Sequence, residues 1–234
     1  MKEIIQNYNS ILEQIRIAAD EANRDMNEIK LIIVTKKFES ENIKPLLDIG
    51  HLYYGENKVQ EAARKWFDLK SEYKEIKLSL IGPLQTNKIK LALDLFCSIH
   101  SIDREKLVLK LSKYPEKIKN IDEFFIQVNL ADEVQKSGVS IKSFDKLLIE
   151  ANKFLKINGL MCLPPKNNDS SIYFGFLYQM ARKNNIKNLS MGMSSDFREA
   201  ILFGATHIRI GEAIMGERIC LLYTSDAADD RMRV

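Results

Sequence analysis

Short apolar runs rich in β-branched residues recur along this chain, and amphipathic stretches lie between them. The runs cover residues 31–36, 52–55, 78–82, 97–102, 124–129, 157–161, 189–193 and 207–211. Residues 43–49, 59–69, 84–96 and 141–154 instead place apolar side chains at helical spacing. A further helical pattern opens the chain, with Ile4, Tyr8, Ile11, Ile15 and Ala18 on one face. Alternating strands and helices imply parallel strands joined by right-handed crossovers. Eight such units in about 210 residues predict an α/β fold, a closed (β/α)8 TIM barrel at the short end of its size range. It is expected to be a single domain with an extra N-terminal helix. A doubly wound open sheet is the rival, and it would carry a glycine-rich phosphate turn after its first strand. Here Lys36-Lys37-Phe38-Glu39 follows that strand, without glycine.

The bulk composition narrows the function classes. Of 234 residues, 45% are hydrophobic and 29% charged, as in a soluble globular protein. The net charge of +3, from 35 basic and 32 acidic residues, is too mild to argue for nucleic acid. The lysines of 106–119 read as solvated helix faces. Cys97, Cys162 and Cys220 are odd in number and far apart, with no metal or redox spacing, which suits a reducing compartment. Met1-Lys2-Glu3-Ile4-Ile5 is not a signal peptide, and no apolar run approaches the ~18 residues of a membrane span. The expected location is cytoplasmic, with no membrane partner. No linker divides the chain, and Pro164-Pro165-Lys166-Asn167-Asn168-Asp169 reads as a loop. From Cys220 the chain reads like a translated sequencing-library adapter. Residues 1–218 are therefore expected to form the barrel and 219–234 a non-native tail without function.

Barrel active sites lie at the C-terminal ends of the strands. Lys36 closes the first run, and an ammonium at a buried strand end is costly unless paired or neutralised. Its chemical reading is a Schiff-base lysine; its bland reading is a strand end reaching solvent. Alternation along a strand would put Val34 and Lys36 on one side, with Thr35 and Lys37 on the other. The seventh end, Ser190-Met191-Gly192-Met193-Ser194-Ser195-Asp196, offers small residues and candidate helix caps, and backbone donors there suit a phosphate. Asp196 is expected to cap the helix in a capping box with Glu199, leaving Ser194 for a ligand. Arg209 is either an interior arginine paired with an acid or a donor to a ligand, and Gly211 allows close backbone approach. Asn57 either caps the next helix or contacts a ligand. Glu56 reads as a turn or helix-start residue. Lys136-Ser137-Gly138 lacks the Walker glycines. No carboxylate pair, metal cluster or nucleophile triad stands among the strand ends.

Several longer motifs occur together in one order: Val34-Thr35-Lys36, Tyr54-Gly55-Glu56-Asn57-Lys58-Val59-Gln60-Glu61, Ile81-Gly82-Pro83-Leu84-Gln85-Thr86-Asn87-Lys88, Gln127-Val128-Asn129, Lys136-Ser137-Gly138, Gly159-Leu160-Met161, Leu189-Ser190-Met191-Gly192-Met193-Ser194 and Arg209-Ile210-Gly211-Glu212-Ala213-Ile214-Met215-Gly216. By these the chain resembles, to about Arg218, the pyridoxal phosphate homeostasis proteins, which are similar to the N-terminal barrel of alanine racemases. The resemblance implies pyridoxal 5′-phosphate held as a Schiff base on Lys36. Ser194 and the backbone near Gly211 would hold its phosphate, with Ser190 in the same cofactor-binding set. Arg209 would face the pyridine nitrogen and Asn57 would lie beside the ring. The chain departs from the family pattern at Leu78-Ser79-Leu80, at Phe38 and at Ser194-Ser195-Asp196.

Two functions of different class follow. One is a non-catalytic protein that holds pyridoxal phosphate and delivers it to apo pyridoxal-phosphate enzymes. The other is a racemase-like enzyme. Racemisation needs an acid–base group on each face of the substrate. Lys36 could serve one face, but alanine racemases take the other from a tyrosine in a C-terminal β-domain that this chain lacks. Arginine beside the pyridine nitrogen also disfavours its protonation and weakens the ring as an electron sink. The carrier reading is preferred, as a monomer. A lysine aldolase without the cofactor is a minor third, since Glu56 is the one carboxylate of note at the strand ends.

Overall fold

The computed structural model describes residues 2–216, except 132, 134, 136, 166 and 167. Lys136 and the 219–234 tail therefore lie outside the described residues. In chain order the elements are α1 (Lys2–Glu21), β1 (Lys30–Val34), α2 (Ser40–Asp48), β2 (Tyr53–Glu56), α3 (Val59–Glu72), β3 (Lys77–Leu80), α4 (Ile89–Leu95), β4 (Ser98–Ile102), α5 (Glu105–Leu111), α6 (Pro115–Ile118), β5 (Glu123–Asn129), β6 (Val139–Ser140), α7 (Ile141–Asn152), β7 (Ile157–Met161), α8 (Ser170–Lys183), β8 (Asn188–Ser190), α9 (Phe197–Leu202), β9 (His207–Ile210) and α10 (Glu212–Met215).

Parallel pairing runs from β1 through β2, β3, β4, β5, β7 and β8 to β9, and β9 pairs back with β1. This is the closed (β/α)8 barrel, and all eight expected strands take part. The short β6 was not expected; it adds two residues to the Val128–Asn129 end of β5, outside the ring.

Strand alternation sorts the side chains into two environments. Leu31, Ile33, Tyr54, Leu78, Ile126 and Ile208 face outward and join the apolar core beneath the helices. The inward positions carry Ile32, Phe125 and Met161, but also buried Ser79, Ser98, His100, Gln127, Ser190, His207 and Arg209. Branched apolar residues usually fill such a barrel; here much of the interior is polar and internally hydrogen-bonded. Helix α1 buries Ile11, Ile15, Ala18 and Ala19 and packs against α2, α9 and α10. Among the described residues, no helix is long and apolar enough to cross a membrane.

The structure corrects one boundary that bears on the site. Strand β1 ends at Val34, so Lys36 stands in a turn rather than on the strand. The Phe38 N–H folds back on the Thr35 carbonyl at 3.1 Å, and Lys37 takes φ 66°. Strand alternation cannot run through such a corner. Lys36 is half-buried and Lys37 exposed because of the turn.

Candidate functional site

The 35–38 turn is anchored from behind by the next βα unit. Lys65, buried on α3, donates from Nζ to the carbonyls of Thr35 at 2.7 Å and Phe38 at 2.9 Å. The same ammonium lies 2.6 Å from Glu56 Oε1. That carboxylate oxygen also accepts from Thr35 Oγ1 at 2.7 Å and Trp66 Nε1 at 3.0 Å. Glu61, one helical turn before Lys65, accepts the Lys37 N–H. Glu56 is thus no turn or helix-start residue. It is fully buried at the end of β2, where only its ion pair and hydrogen bonds make a carboxylate tolerable.

Strand β9 runs beside β1 in a register that pairs Ile32 with Arg209 and Ile33 with Ile210. Gly211 follows at the level of Val34; a Cβ there would sit 3.3 Å from the Val34 carbonyl oxygen. Arg209 is buried, and among the described residues no carboxylate pairs with it. Its interior reading as the partner of an acid does not hold. The guanidinium donates to two neutral acceptors, Ser190 Oγ at 2.7 Å and the Cys162 carbonyl at 2.9 Å. Burial lowers its pKa, yet an arginine stays protonated.

A line of hydrogen bonds descends from Arg209 through the barrel. Arginine can only donate, so the Ser190 hydroxyl accepts from it and turns its own proton to His100 Nδ1, 2.9 Å away. His100 must then carry its proton on Nε2 and donate to Ser98 Oγ at 3.2 Å. Ser98 donates to Ser79 at 2.8 Å. Burial, reinforced by His207, Arg209 and Lys30, depresses the His100 pKa and keeps the ring neutral, stacked on Phe125 with centroids 4.0 Å apart. At the far end, Glu123 accepts from Lys30 at 2.9 Å, from Asn188 at 3.0 Å and from His207 at 3.1 Å. Burial opposes ionisation of Glu123, but His207 and Lys30 outweigh it and hold the carboxyl at about 2.

A cavity of about 410 Å³ opens at the C-terminal end, lined by Asn57, Gly82, Gln127, Asn129, Leu163 and Met193 among others. Asn57 does not cap α3, whose N-cap position is Lys58 without a side-chain bond. It lines this cavity instead. Of the six residues expected to bind cofactor, Asn57 alone lines it. Lys36, Arg209 and Gly211 stand on the β1–β9 side of the mouth, and Ser194 is the neighbour of the lining Met193. Ser190 lies deeper, fully buried, its hydroxyl taken by Arg209 and His100.

The 190–196 turn differs from expectation in its cap. Asp196 occupies the N-cap position of α9 but makes no capping bond. With φ −142° and ψ 13°, its carboxylate swings back to accept the Met193 N–H at 2.6 Å and the Ser170 hydroxyl at 2.9 Å. There is no capping box with Glu199. Gly192 is required where it stands: φ is 92°, and a Cβ would lie 2.6 Å from Ala200 Cβ. Burial pushes the Cys97 thiol up to about 11 and Cys162 up to about 12, so neither is a thiolate at neutral pH. No cluster of three metal-ligating side chains occurs among the described residues.

Sequence reasoning missed the Glu56–Lys65 pair and the polar line inside the barrel. Both left signals. Lys65 interrupts the apolar stripe of Val59, Ala62, Trp66 and Leu69 on α3. Ser79, Ser98, His100, Ser190, His207 and Arg209 recur at alternate positions of otherwise apolar runs.

No family model matches the chain. Curated relatives do. Pyridoxal phosphate homeostasis proteins of Vibrio cholerae serotype O1 and Escherichia coli strain K12 are 35% and 32% identical to it, over 230 and 234 residues. Each alignment covers 93% of this chain and 98% of the relative. Among solved structures, PipY of Synechococcus elongatus PCC7942 with PLP bound superposes with a TM-score of 0.75 at 27% identity, covering 88% of this chain and 100% of PipY. Alanine racemase of Clostridium difficile 630 superposes at 0.69 over 94% of this chain and 57% of its own, at 12% identity, a likeness of fold. The barrel, the lysine turn beside Arg209 and relatives matched along nearly their full length agree: the chain belongs to the pyridoxal phosphate homeostasis protein family.

Proposed function

We propose that this protein binds pyridoxal 5′-phosphate at the C-terminal mouth of its barrel and holds it for intracellular homeostasis without turning over an amino acid. One observation carries the reading: the register of β1 and β9, which sets Gly211 and a buried Arg209, paired with no carboxylate among the described residues, below the turn of Lys36. A ligand with an aldehyde, a ring nitrogen and a phosphate fits that set. Lys36 would take the aldehyde carbon covalently, Arg209 the ring nitrogen and Asn57 the ring edge. Ser194 and the backbone at Gly211 would hold the phosphate. Ser190 would serve from below, by fixing the guanidinium of Arg209.

Bound pyridoxal phosphate can act as an electron sink. Arg209 works against that use, because its fixed charge disfavours a second proton on the ring nitrogen. The neighbouring cavity is lined by Asn57, Gln127 and Asn129, whose amide side chains exchange no protons at neutral pH. The PLP-bound PipY structure supports the ligand, and the names of the curated relatives support the homeostatic role. The protein works as a cytoplasmic monomer, and apo pyridoxal-phosphate enzymes are its recipients.

Borohydride reduction of protein loaded with pyridoxal phosphate, followed by peptide mass spectrometry, should find the adduct on Lys36. The loaded protein should restore activity to an apo pyridoxal-phosphate enzyme. Sustained Cα–deuterium exchange of single-enantiomer alanine at enzyme-like rates would overturn the carrier reading.

A further inference from the structure

Two lysines stand side by side at the mouth, and the turn that presents them is not stable on its own account. Lys37 adopts φ 66°, a left-handed conformation that costs a residue with a Cβ free energy, and neither glycine nor asparagine occupies the corner. The conformation persists because α3 holds it. Lys65 has three N–H groups and three acceptors: the carbonyls on either side of the lysine pair and Glu56 Oε1. Glu61 takes the N–H of Lys37 itself. Glu61 and Lys65 are four residues apart, so one helix face meets the whole turn. A methionine at 65 would fill the same space beside Trp66 without burying a charge. Only the turn's carbonyls and Glu56 call for an ammonium there.

We propose that Glu61 and Lys65, with Glu56, are positioning residues that keep the turn in the one conformation presenting Lys36 to the ligand and holding Lys37 out in solvent. Their output is selectivity between two adjacent amines of the same intrinsic reactivity. The inference rests on the reading of Lys36 as the covalent anchor, and it deepens that reading by naming what makes the anchor unique.

The test compares wild type with Glu61→Ala, Glu61→Gln and the double variant Lys65→Met/Glu56→Gln, which removes both charges and leaves neither buried alone. Each is loaded with pyridoxal phosphate, reduced with borohydride, digested and sequenced by tandem mass spectrometry. The Lys36-to-Lys37 labelling ratio should fall at least tenfold in Glu61→Ala and in the double variant. Glu61→Gln, whose amide oxygen can still accept the Lys37 N–H, should keep the wild-type ratio. Amide hydrogen exchange at Lys37, followed without cofactor, should accelerate at least tenfold in Glu61→Ala. Circular dichroism melting confirms that each variant folds; Glu61 is half-exposed, so Glu61→Ala keeps the test open should the double variant fail to fold. Folded variants with wild-type selectivity and wild-type exchange overturn the clamp. A wild-type protein labelled on neither lysine overturns the cofactor reading instead, and the exchange measurement still decides whether the clamp exists.

Discussion

Lowering the pH from 7 to 5 should weaken this fold through His51, against the half-buried Asp103, whose pKa is raised by burial and works in the opposite direction. The ring sits between α1 and the barrel. Its Nε2 donates to the Tyr53 carbonyl at 2.9 Å, so its Nδ1 accepts the Tyr8 hydroxyl at 3.2 Å. The rings of Tyr8 and Tyr54 approach it edge-on at 5.4 and 5.2 Å. Burial, against two backbone hydrogen bonds, depresses its pKa from 6.5 to about 4. The unfolded chain therefore binds a proton near pH 6.5 that the folded one refuses until about pH 4. In that window the unfolded state holds more protons, so stability is complete above 6.5 and drains away as pH falls. Between pH 7 and 5, His51 alone should cost about 2 kcal/mol. That corresponds to a melting point lower by ~4–8 °C for a chain of this size. His100 and His207 are depressed by burial too and add in the same direction. Glu123, held at about 2, loses its contribution only below the ordinary carboxylate range and leaves the window clear. Urea melts of wild type and His51→Gln at both pH values measure the effect. Gln keeps a donor for Tyr53 but cannot titrate, so its pH-dependent loss should be about 2 kcal/mol smaller. Equal losses in the two proteins would refute the argument that this ring is buried neutral.

Lys36→Ala should abolish the near-ultraviolet-to-visible band of lysine-bound cofactor with the melting temperature unchanged, while Lys37→Ala keeps the band; the reverse pattern would assign the anchor to the other amine. Ser190→Ala removes an acceptor of Arg209 and a donor to His100, both buried, and should cost roughly 1–3 kcal/mol in denaturant melts. Gly159→Ala would drive a Cβ to 2.2 Å from the Phe125 ring that supports His100, an overpacking cost of about 1–3 kcal/mol, which thermal melts should register as a clear drop.

What could be read from the chain alone depended on whether the signal was periodic. Eight apolar runs specify a closed parallel barrel because burying both faces of each strand leaves few alternatives, and every one of those runs is a strand. Lys36, Asn57, Arg209 and Gly211 could be nominated for a related reason: barrel chemistry sits at strand ends, and these residues lie at or just beyond the ends of the runs. The misread residues owe their roles to partners distant in sequence. Glu56 looks like the start of a turn until Lys65, on the following helix, is known to reach it. Asp196 satisfies every local rule for a helix cap, yet the hydroxyl of Ser170, on the preceding helix, draws its carboxylate the other way. Ser190 belongs to a phosphate-like turn by composition, but Arg209 on the neighbouring strand and His100 from across the barrel claim its hydroxyl. Each of these cases concerns a polar group wholly or partly buried between elements, where a partner distant in sequence outweighs local preference. Such groups also decide what the mouth can do, because they fix which cation reaches it and in what orientation. An arginine held by the Ser190 hydroxyl and the Cys162 carbonyl, with no carboxylate paired to it among the described residues, keeps an unneutralised charge inside the barrel.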